Sequence, residues 1–534
     1  MGKLIRFDND ARNSLRRGVE QLTAAVRVTL GPRGRNVVIG NRGGMPTITN
    51  DGITITREIE LENPFENLGV QFMREVAFKT AVAAGDGTTT ATLLAGSVVT
   101  HGLLAIASGC NPVGLKRGID RGVLTVVAEL RRQARALGSR DDIVQVATVS
   151  ARGDAGIGEL IADAMERVGR HGVITVSEGR GLTTTLNVVE GTRIASGYVS
   201  PYFVTDADEM HCVLENAYVL LADVRLTEAQ QLLPALELAA RAGRPLFLVV
   251  DDIEGEALAT LVVNRLRGTV ASVAIRVPGA GIRRREMLED LAVLTGATLF
   301  AADAGNRIDR FTVTDFGRLG RVQVDSSATL IAQGGGDSDS MRGRVSWLQR
   351  EAKGAAADSD RKWFEQRIAC MSGGLAVIEV GAGCEAERQD RKSLIEDSLA
   401  ATHSAVEEGI ITGGGVALLR AQPALAMLSA SGDEAAGIEI LRKSIEEPAL
   451  QIAQNAGHDA RHIVAQVRAA TGSFGFDAVS GAICDLNALG ILDSVKVTRC
   501  ALEHASSIGT ILLTTEAIVV DSPPEAAEGQ DDAA

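Results

Sequence analysis

From Thr88 to Ala107 the chain carries no Asp, Glu, Lys or Arg and is apolar on nearly every side. A helix of that kind has no face to give to water, so it must lie at the centre of a bundle with other helices around it. The residues that open it, Ala84-Gly85-Asp86-Gly87-Thr88-Thr89-Thr90, add a second constraint. Glycines let the backbone approach a polyanion, and a helix starting at the threonines aims free N–H groups and hydroxyls at one point. An aspartate beside polyphosphate needs a counter-ion, most usually Mg2+. On local chemistry two readings stay open, a phosphate cradle and a plain Gly-Asp-Gly turn followed by threonine caps.

At 534 residues the chain is too long for one hydrophobic core, and two to four domains are expected. The net charge of −14 and the 3% aromatic content argue against a nucleic-acid reader with basic patches and stacking platforms. Six cysteines, Cys110, Cys212, Cys370, Cys384, Cys484 and Cys500, show no paired or metal-ligand spacing and read as buried thiols in a reducing compartment. No apolar leader follows Met1, and nowhere do eighteen uncharged apolar residues follow one another. A cytosolic protein without a membrane span is the expectation.

In chain order, Leu15, Val19, Leu22, Val26 and Leu30 predict a helix over 9–30, stopped by Gly31-Pro32. Asn50-Asp51-Gly52, between Thr- and Ile-rich pieces, predicts a hairpin turn with Asp51 as a turn residue. A further helix is predicted over 123–137, then a mixed piece with a helix at 157–168 and a strand at 172–176. Between 191 and 374 strands and helices alternate (218–222, 227–242, 245–250, 256–266, 269–277), which predicts a parallel sheet, with Thr227 opening a capping box. The 256–266 helix has more apolar surface than one buried face needs, so it is either sandwiched or in part a binding surface. Residues 341–371 read as a helical hairpin with a mostly solvated face. A strand at 375–380, a helix at 393–408 containing Asp397, a Gly413-Gly414-Gly415 turn and helices to 469 complete the pattern. The 525–534 tail is acidic and structureless.

No Gly-x-x-x-x-Gly-Lys-Ser/Thr is present, which excludes a P-loop. Gly279-Ala280-Gly281 after a strand leaves a dinucleotide fingerprint, and hence a nicotinamide-dependent enzyme, as an alternative, but its third glycine position holds Arg284. The ensemble of motifs points elsewhere. The runs at 29–36 (Thr-Leu-Gly-Pro-Arg-Gly-Arg-Asn), 49–52 and 85–90, Asn111-Pro112 with 115–120, the runs at 197–203 and 254–264, Glu396-Asp397, and the runs at 405–409, 413–417 and 490–498 together resemble the group I chaperonins, the 60-kDa heat-shock family. They stand in that family's order and spacing from Lys3 to about Ser522.

The resemblance implies a multidomain α+β and α/β chaperonin fold. Residues 1–132 and 408–534 would form a helical equatorial ATP-binding domain, 133–190 and 374–407 a small mixed intermediate hinge, and 191–373 an α/β apical domain, with Gly191 and Gly373-Gly374 at the apical hinge. It further implies that Thr29, Leu30, Gly31 and Pro32 line the nucleotide phosphates with Gly87, Thr88, Thr89 and Thr90. Asp86 would bind Mg2+, Asp51 would support metal and water, and backbone carbonyls of Thr29 and Asn50 would bind K+. Gly414, Asp477, Ala478 and Asp493 would hold the adenosine end, while Asp397 would swing in to position the attacking water. Tyr198, Ser200, Tyr202, Phe203, Leu233, Leu236, Leu258, Val262, Val263 and Asn264 match positions that bind non-native polypeptides and a 10-kDa co-chaperonin lid. A heptameric ring, single or stacked in pairs, is implied, with neither nucleic acid nor membrane as partner; a holdase that no longer cycles is the rival. Asn50, the 278–284 run, Leu450 and the lack of a Gly-Gly-Met tail depart from the family pattern and suit a divergent paralogue with a narrowed client set.

Overall fold

The computed structural model describes residues 2–40, 46–169, 173–179, 181–206, 210–279, 281–301, 308–354, 358–372 and 374–521. Expectations resting on Gly172, Ala280, Gly373 and the 525–534 tail lie outside these residues. Two compact units divide the chain. One comprises Met1–Asp163, Glu178–Thr183 and Val380–Ala534; the other comprises Ala164–Ser177 and Thr184–Glu379.

In the first unit the apolar Thr88–Ala107 helix lies where its composition demands, packed by the helices Asp8–Arg27, Pro64–Ala84, Gly432–Ser444 and Val495–Leu513. Leu94 and Val98 share one core with Val19, Leu22, Val76, Leu441 and Leu512. By length and composition this helix could cross a bilayer; here most of it is buried in the unit. The two ends of the chain meet in this unit, where the strand Lys3–Phe7 pairs antiparallel with Ala517–Asp521. The helix predicted to begin at 123 begins at Pro112, capped by the Asn111 side chain, because its first turns bury Leu115, Gly118 and Ile119. The Asn50-Asp51-Gly52 expectation is corrected. The hairpin closes earlier, pairing Val37–Ile39 with Thr47–Thr49, and Asp51 instead caps the helix Gly52–Glu58.

The second unit is built on a nine-stranded mixed sheet. Its parallel part is the predicted one, with Leu246–Ile253 lying between Cys212–Leu226 and Ser272–Arg276. The remainder corrects the all-parallel expectation: Gly317–Val324 pairs antiparallel with Cys212–Leu226 and with Thr329–Gly334, and Thr185–Ile194 continues the antiparallel order to Gly374–Val380. A short connection joins Gly317–Val324 to Thr329–Gly334, whereas the other antiparallel neighbours come from distant parts of the chain with helices between them, so strand–helix alternation does not reveal their direction. The capping box lies at Glu228 and Gln231 rather than at Thr227, whose N–H donates to the Gln231 Oε1.

The helical hairpin Ser338–Gly354 and Asp358–Ser372 is not simply a solvated pair. Arg367 points inward and is 1% exposed. The cysteines also differ from expectation: all six are free, but only Cys212 and Cys500 are buried and Cys384 is exposed.

Candidate functional site

The site begins where the Pro64–Ala84 helix stops. Gly85 ends it at φ +73°, and a Cβ there would lie 2.2 Å from the Ala400 Cβ, so only glycine lets the loop close on the helix Glu385–Glu408. The Ser404 hydroxyl donates to the Ala84 carbonyl at 2.9 Å and holds the same approach. Gly87, at φ +83°, then starts the Thr88–Ala107 helix with no side-chain cap, leaving its first N–H groups to a ligand. Between the glycines, Asp86 accepts from the Gly87 N–H at 2.5 Å and from the Ser150 hydroxyl at 2.6 Å.

A cavity of about 470 Å³ opens over this loop, the size of a small-molecule site. Thr29, Leu30, Gly31 and Pro32 form one wall, Asn50 and Asp51 the next, and Asp86, Gly87, Thr88, Thr89 and Thr90 the floor. Gly414, Asp477, Ala478 and Asp493 line the far end, and Asp397 also stands at the wall. Every one of these residues belongs to the first unit. A second uncapped helix start, Gly415 before Val416–Ala426, faces the cavity as well. Asp477 folds its own turn by accepting from the Val479 and Ser480 N–H groups, while Asp493 lies on a strand, Leu492–Ser494, paired with Ile410–Thr412. Asp51 is committed to its helix: its carboxylate accepts from the Ile53 and Thr54 N–H groups and from the Thr54 hydroxyl.

The electrostatics call for a cation. Burial pushes Asp86 above the ordinary carboxylate range and the Asp51 charge adds to it, against the Ser150 and Gly87 hydrogen bonds. Asp397 is raised well above that range by burial and then by the charges of Asp86 and Asp51, with Arg152 opposing. Asp493 is pushed up to about 6 by burial and by Asp86. The Asn50 Oδ1 is buried without a partner, an acceptor left over at the same wall. An acceptor-rich, proton-retaining pocket beside two free helix N-termini suits a hard cation with a polyanion.

A stability prediction follows from Asp493. Between its unfolded value near 4 and its folded value near 6 the native state holds a proton that the unfolded state has lost, so stability falls as pH rises through that window. Asp493→Asn is therefore expected to stabilise the ligand-free protein at pH 7 by about 2 kcal/mol, discounted because the cavity admits water, with no gain below pH 4. Urea melts of both proteins at the two pH values check this; an equal difference at both would contradict it.

A family model for the TCP-1/cpn60 chaperonin family matches residues 22–523, nearly the whole chain. The chain belongs to that family. Its fold is also similar to the crystal structure of the chaperonin gp146 from the bacteriophage EL 2 (Pseudomonas aeruginosa), obtained in the presence of ATP-BeFx. The TM-score is 0.73 at 20% identity, covering 97% of this chain and all of that one.

In this chaperonin the residues expected to bind clients lie in the second unit. Tyr202 is 66% exposed, Leu233 and Val263 are exposed, and Leu258, Val262, Tyr198 and Asn264 are half-buried. The helix Gly255–Leu266 is thus buried on the Ala257 and Leu261 side and open on another, which excludes the sandwiched alternative. Three expected contact residues are buried. Phe203 and Leu236 belong to the hydrophobic core, and Ser200 is buried, its hydroxyl accepting from the Tyr202 N–H. Successive residues of the 3-10 turn Pro201–Phe203 lie about a third of a turn apart, so Phe203 faces the core while Tyr202 faces solvent.

Three residues, and the side chain of Asn50, are not legible in the sequence. Ser150 and Arg152 join the cavity from the end of the Arg140–Ser150 helix. That helix is set by a Ser139/Asp142 capping box, with Asp142 held at about 2 chiefly by its hydrogen bond from Arg135. The Asn50 side chain is the third. The fourth, Arg265, donates to the carbonyls of Tyr202 and Val204 at 2.5 Å and pins the 201–203 turn to the apolar helix. Ser150, Arg152 and Arg265 carry no local motif, so no spacing signal marks them, and Asn50 lies in the 49–52 run, where its backbone rather than its side chain is the expected ligand.

Proposed function

We propose that this chain is an ATP-hydrolysing chaperonin that captures non-native polypeptides on an apolar apical surface and releases them into a ring chamber, timed by Mg-ATP hydrolysis. The observation that carries the reading is the single cavity that gathers Thr29–Pro32, the 86–90 loop, Gly414, Asp477, Ala478 and Asp493 around one acidic, helix-N-terminal pocket. Asp86 would hold Mg2+, which when bound neutralises phosphate charge, and backbone carbonyls of Thr29 and Asn50 would hold K+. The leftover Asn50 acceptor and the raised Asp86 fit such cations. The Thr88–Thr90 N–H groups would bind phosphate oxygens. Asp397 would position water against the terminal phosphate, a reaction in which positioning and electrostatics supply most of the catalysis.

The three-domain division, the heptameric ring and a 10-kDa lid belong to the same proposal. Tyr202, Leu233, Leu258, Val262 and Val263 would form the capture surface, where exposed apolar area binds exposed apolar area on clients. The test is suppression of aggregation of a denatured client by wild type and by Tyr202→Glu/Val263→Glu, with ATP turnover and native mass on the same samples. The double variant is expected to lose capture at least tenfold, since two charges enter an apolar contact, and to keep turnover. Undiminished capture would refute the surface. Capture without any turnover by the wild type would favour the holdase, and NADH binding would revive the nicotinamide alternative.

A further inference from the structure

Five carboxylates line the nucleotide cavity, those of Asp51, Asp86, Asp397, Asp477 and Asp493, and among its described lining residues Arg152 is the one Lys or Arg. A nucleoside triphosphate brings several more negative charges into that space, beyond what one divalent ion offsets. Arg152 stands two residues after Ser150, the residue that donates to Asp86. Its turn is closed by its own N–H on the Val149 carbonyl at 3.1 Å and by the Gly153 N–H on the Thr148 carbonyl at 2.8 Å.

The backbone there argues that the side chain is wanted. Arg152 has φ +57°, the left-handed region, which costs a non-glycine residue about 1 kcal/mol. Glycine would make this turn more cheaply, so the turn alone does not call for arginine. Nor does a structural ion pair. Among the described residues its ion pair is with Asp390 at 3.9 Å, beyond hydrogen-bond reach, and the side chain is 30% exposed. A guanidinium with five donors thus lies at the cavity wall with few of them committed, and its charge reaches both Asp86 and Asp397.

We propose that Arg152 is the cation with which the protein meets the terminal phosphate of the bound nucleoside triphosphate, favouring triphosphate over diphosphate and stabilising the charge carried through hydrolysis. The inference rests on the ATPase reading above. In that step a water oxygen bonds to the terminal phosphorus as the bond from that phosphorus to the bridging oxygen breaks. The bridging oxygen keeps the electron pair and leaves on the diphosphate, and the water proton passes to a carboxylate or phosphate oxygen, giving inorganic phosphate. Planar, multi-donor cations are the usual partners of such oxygens.

The test compares wild type, Arg152→Gly and Arg152→Lys. Glycine relaxes the backbone at φ +57° while removing the charge, so this variant is expected to fold and assemble as well as wild type. Turnover of MgATP, and affinities for MgADP and for a non-hydrolysable Mg-triphosphate analogue, are measured on all three. We expect Arg152→Gly to keep MgADP affinity within about threefold and to lose roughly 10- to 100-fold in turnover and in preference for the triphosphate. That is less than the largest arginine effects on phosphoryl transfer because this side chain is part-exposed. Arg152→Lys, or millimolar guanidinium ion added to Arg152→Gly, should restore part of both. If the wild type turns over ATP and Arg152→Gly matches it within about twofold, or loses diphosphate and triphosphate affinity equally, the role of Arg152 is wrong and the ATPase reading stands. Failure of the wild type to bind either nucleotide would overturn both.

Discussion

Asp397→Ala is expected to lower ATP turnover by about 10²-fold or more, the usual scale for a group that positions or deprotonates the nucleophile. Nucleotide binding should survive and can even tighten. The change removes one of the cavity's five carboxylates, and repulsion from Asp86 and Asp51 already works against its ionised form. The helix that carries it should also survive, because its attachment lies next door: the Ser398 hydroxyl donates to the Ala147 carbonyl at 2.6 Å. Steady-state turnover, MgADP affinity and native mass of the two proteins separate these effects. Turnover unchanged in the variant, with wild type active, would sink the assigned mechanism.

The second large effect is expected in the unit that contains 184–379. Arg367 donates from Nε and one terminal nitrogen to both Asp290 oxygens, at 2.6 and 3.0 Å, and its other terminal nitrogen lies 2.9 Å from Glu286. Around it stand the rings of Trp347, Trp363 and Phe364, each within 6 Å of the guanidinium carbon. Asp290 also accepts from Arg344 at 2.7 Å, and Trp363 donates to Glu286 at 2.7 Å. Removing one partner from a buried, hydrogen-bonded ion pair costs about 3–5 kcal/mol, because the carboxylate left behind stays desolvated. Arg367→Ala should therefore unfold this unit at markedly lower urea. The chain's two tryptophans both lie in the cluster, so their fluorescence reports the transition directly. An unshifted midpoint would show the cluster to be replaceable.

The same cluster marks a limit of sequence reading. A stretch as charged as 341–371 reads as solvated, and its period gives no hint that one arginine turns inward, because the acids that allow this, Glu286 and Asp290, lie on another helix. The Pro64–Ala84 helix, by contrast, is legible in the sequence: Asn63-Pro64 is a helix start, and Phe65, Val70, Met73, Val76 and Ala77 keep helical spacing. At 50–52 the turn signal is real but marks a helix start, since an aspartate that turns a hairpin and one that caps a helix look alike until the next strand is placed.

What the sequence determined by itself was local and chemical. A charge-free helix had to be central, a Gly-Asp-Gly loop before threonines was either a phosphate cradle or a capped turn, and the order of motifs was that of a chaperonin. Each depends on residues close together in the chain, where steric and hydrogen-bonding rules act directly. Only the tertiary structure decided that Asp397, more than three hundred residues downstream, shares a cavity wall with Asp86, that Ser150 and Arg152 come to the same place, and that Phe203 turns into the core while Tyr202 faces solvent. The physical reason is that charge and desolvation act through space, so which carboxylates repel and which cation answers them depend on packing between distant segments.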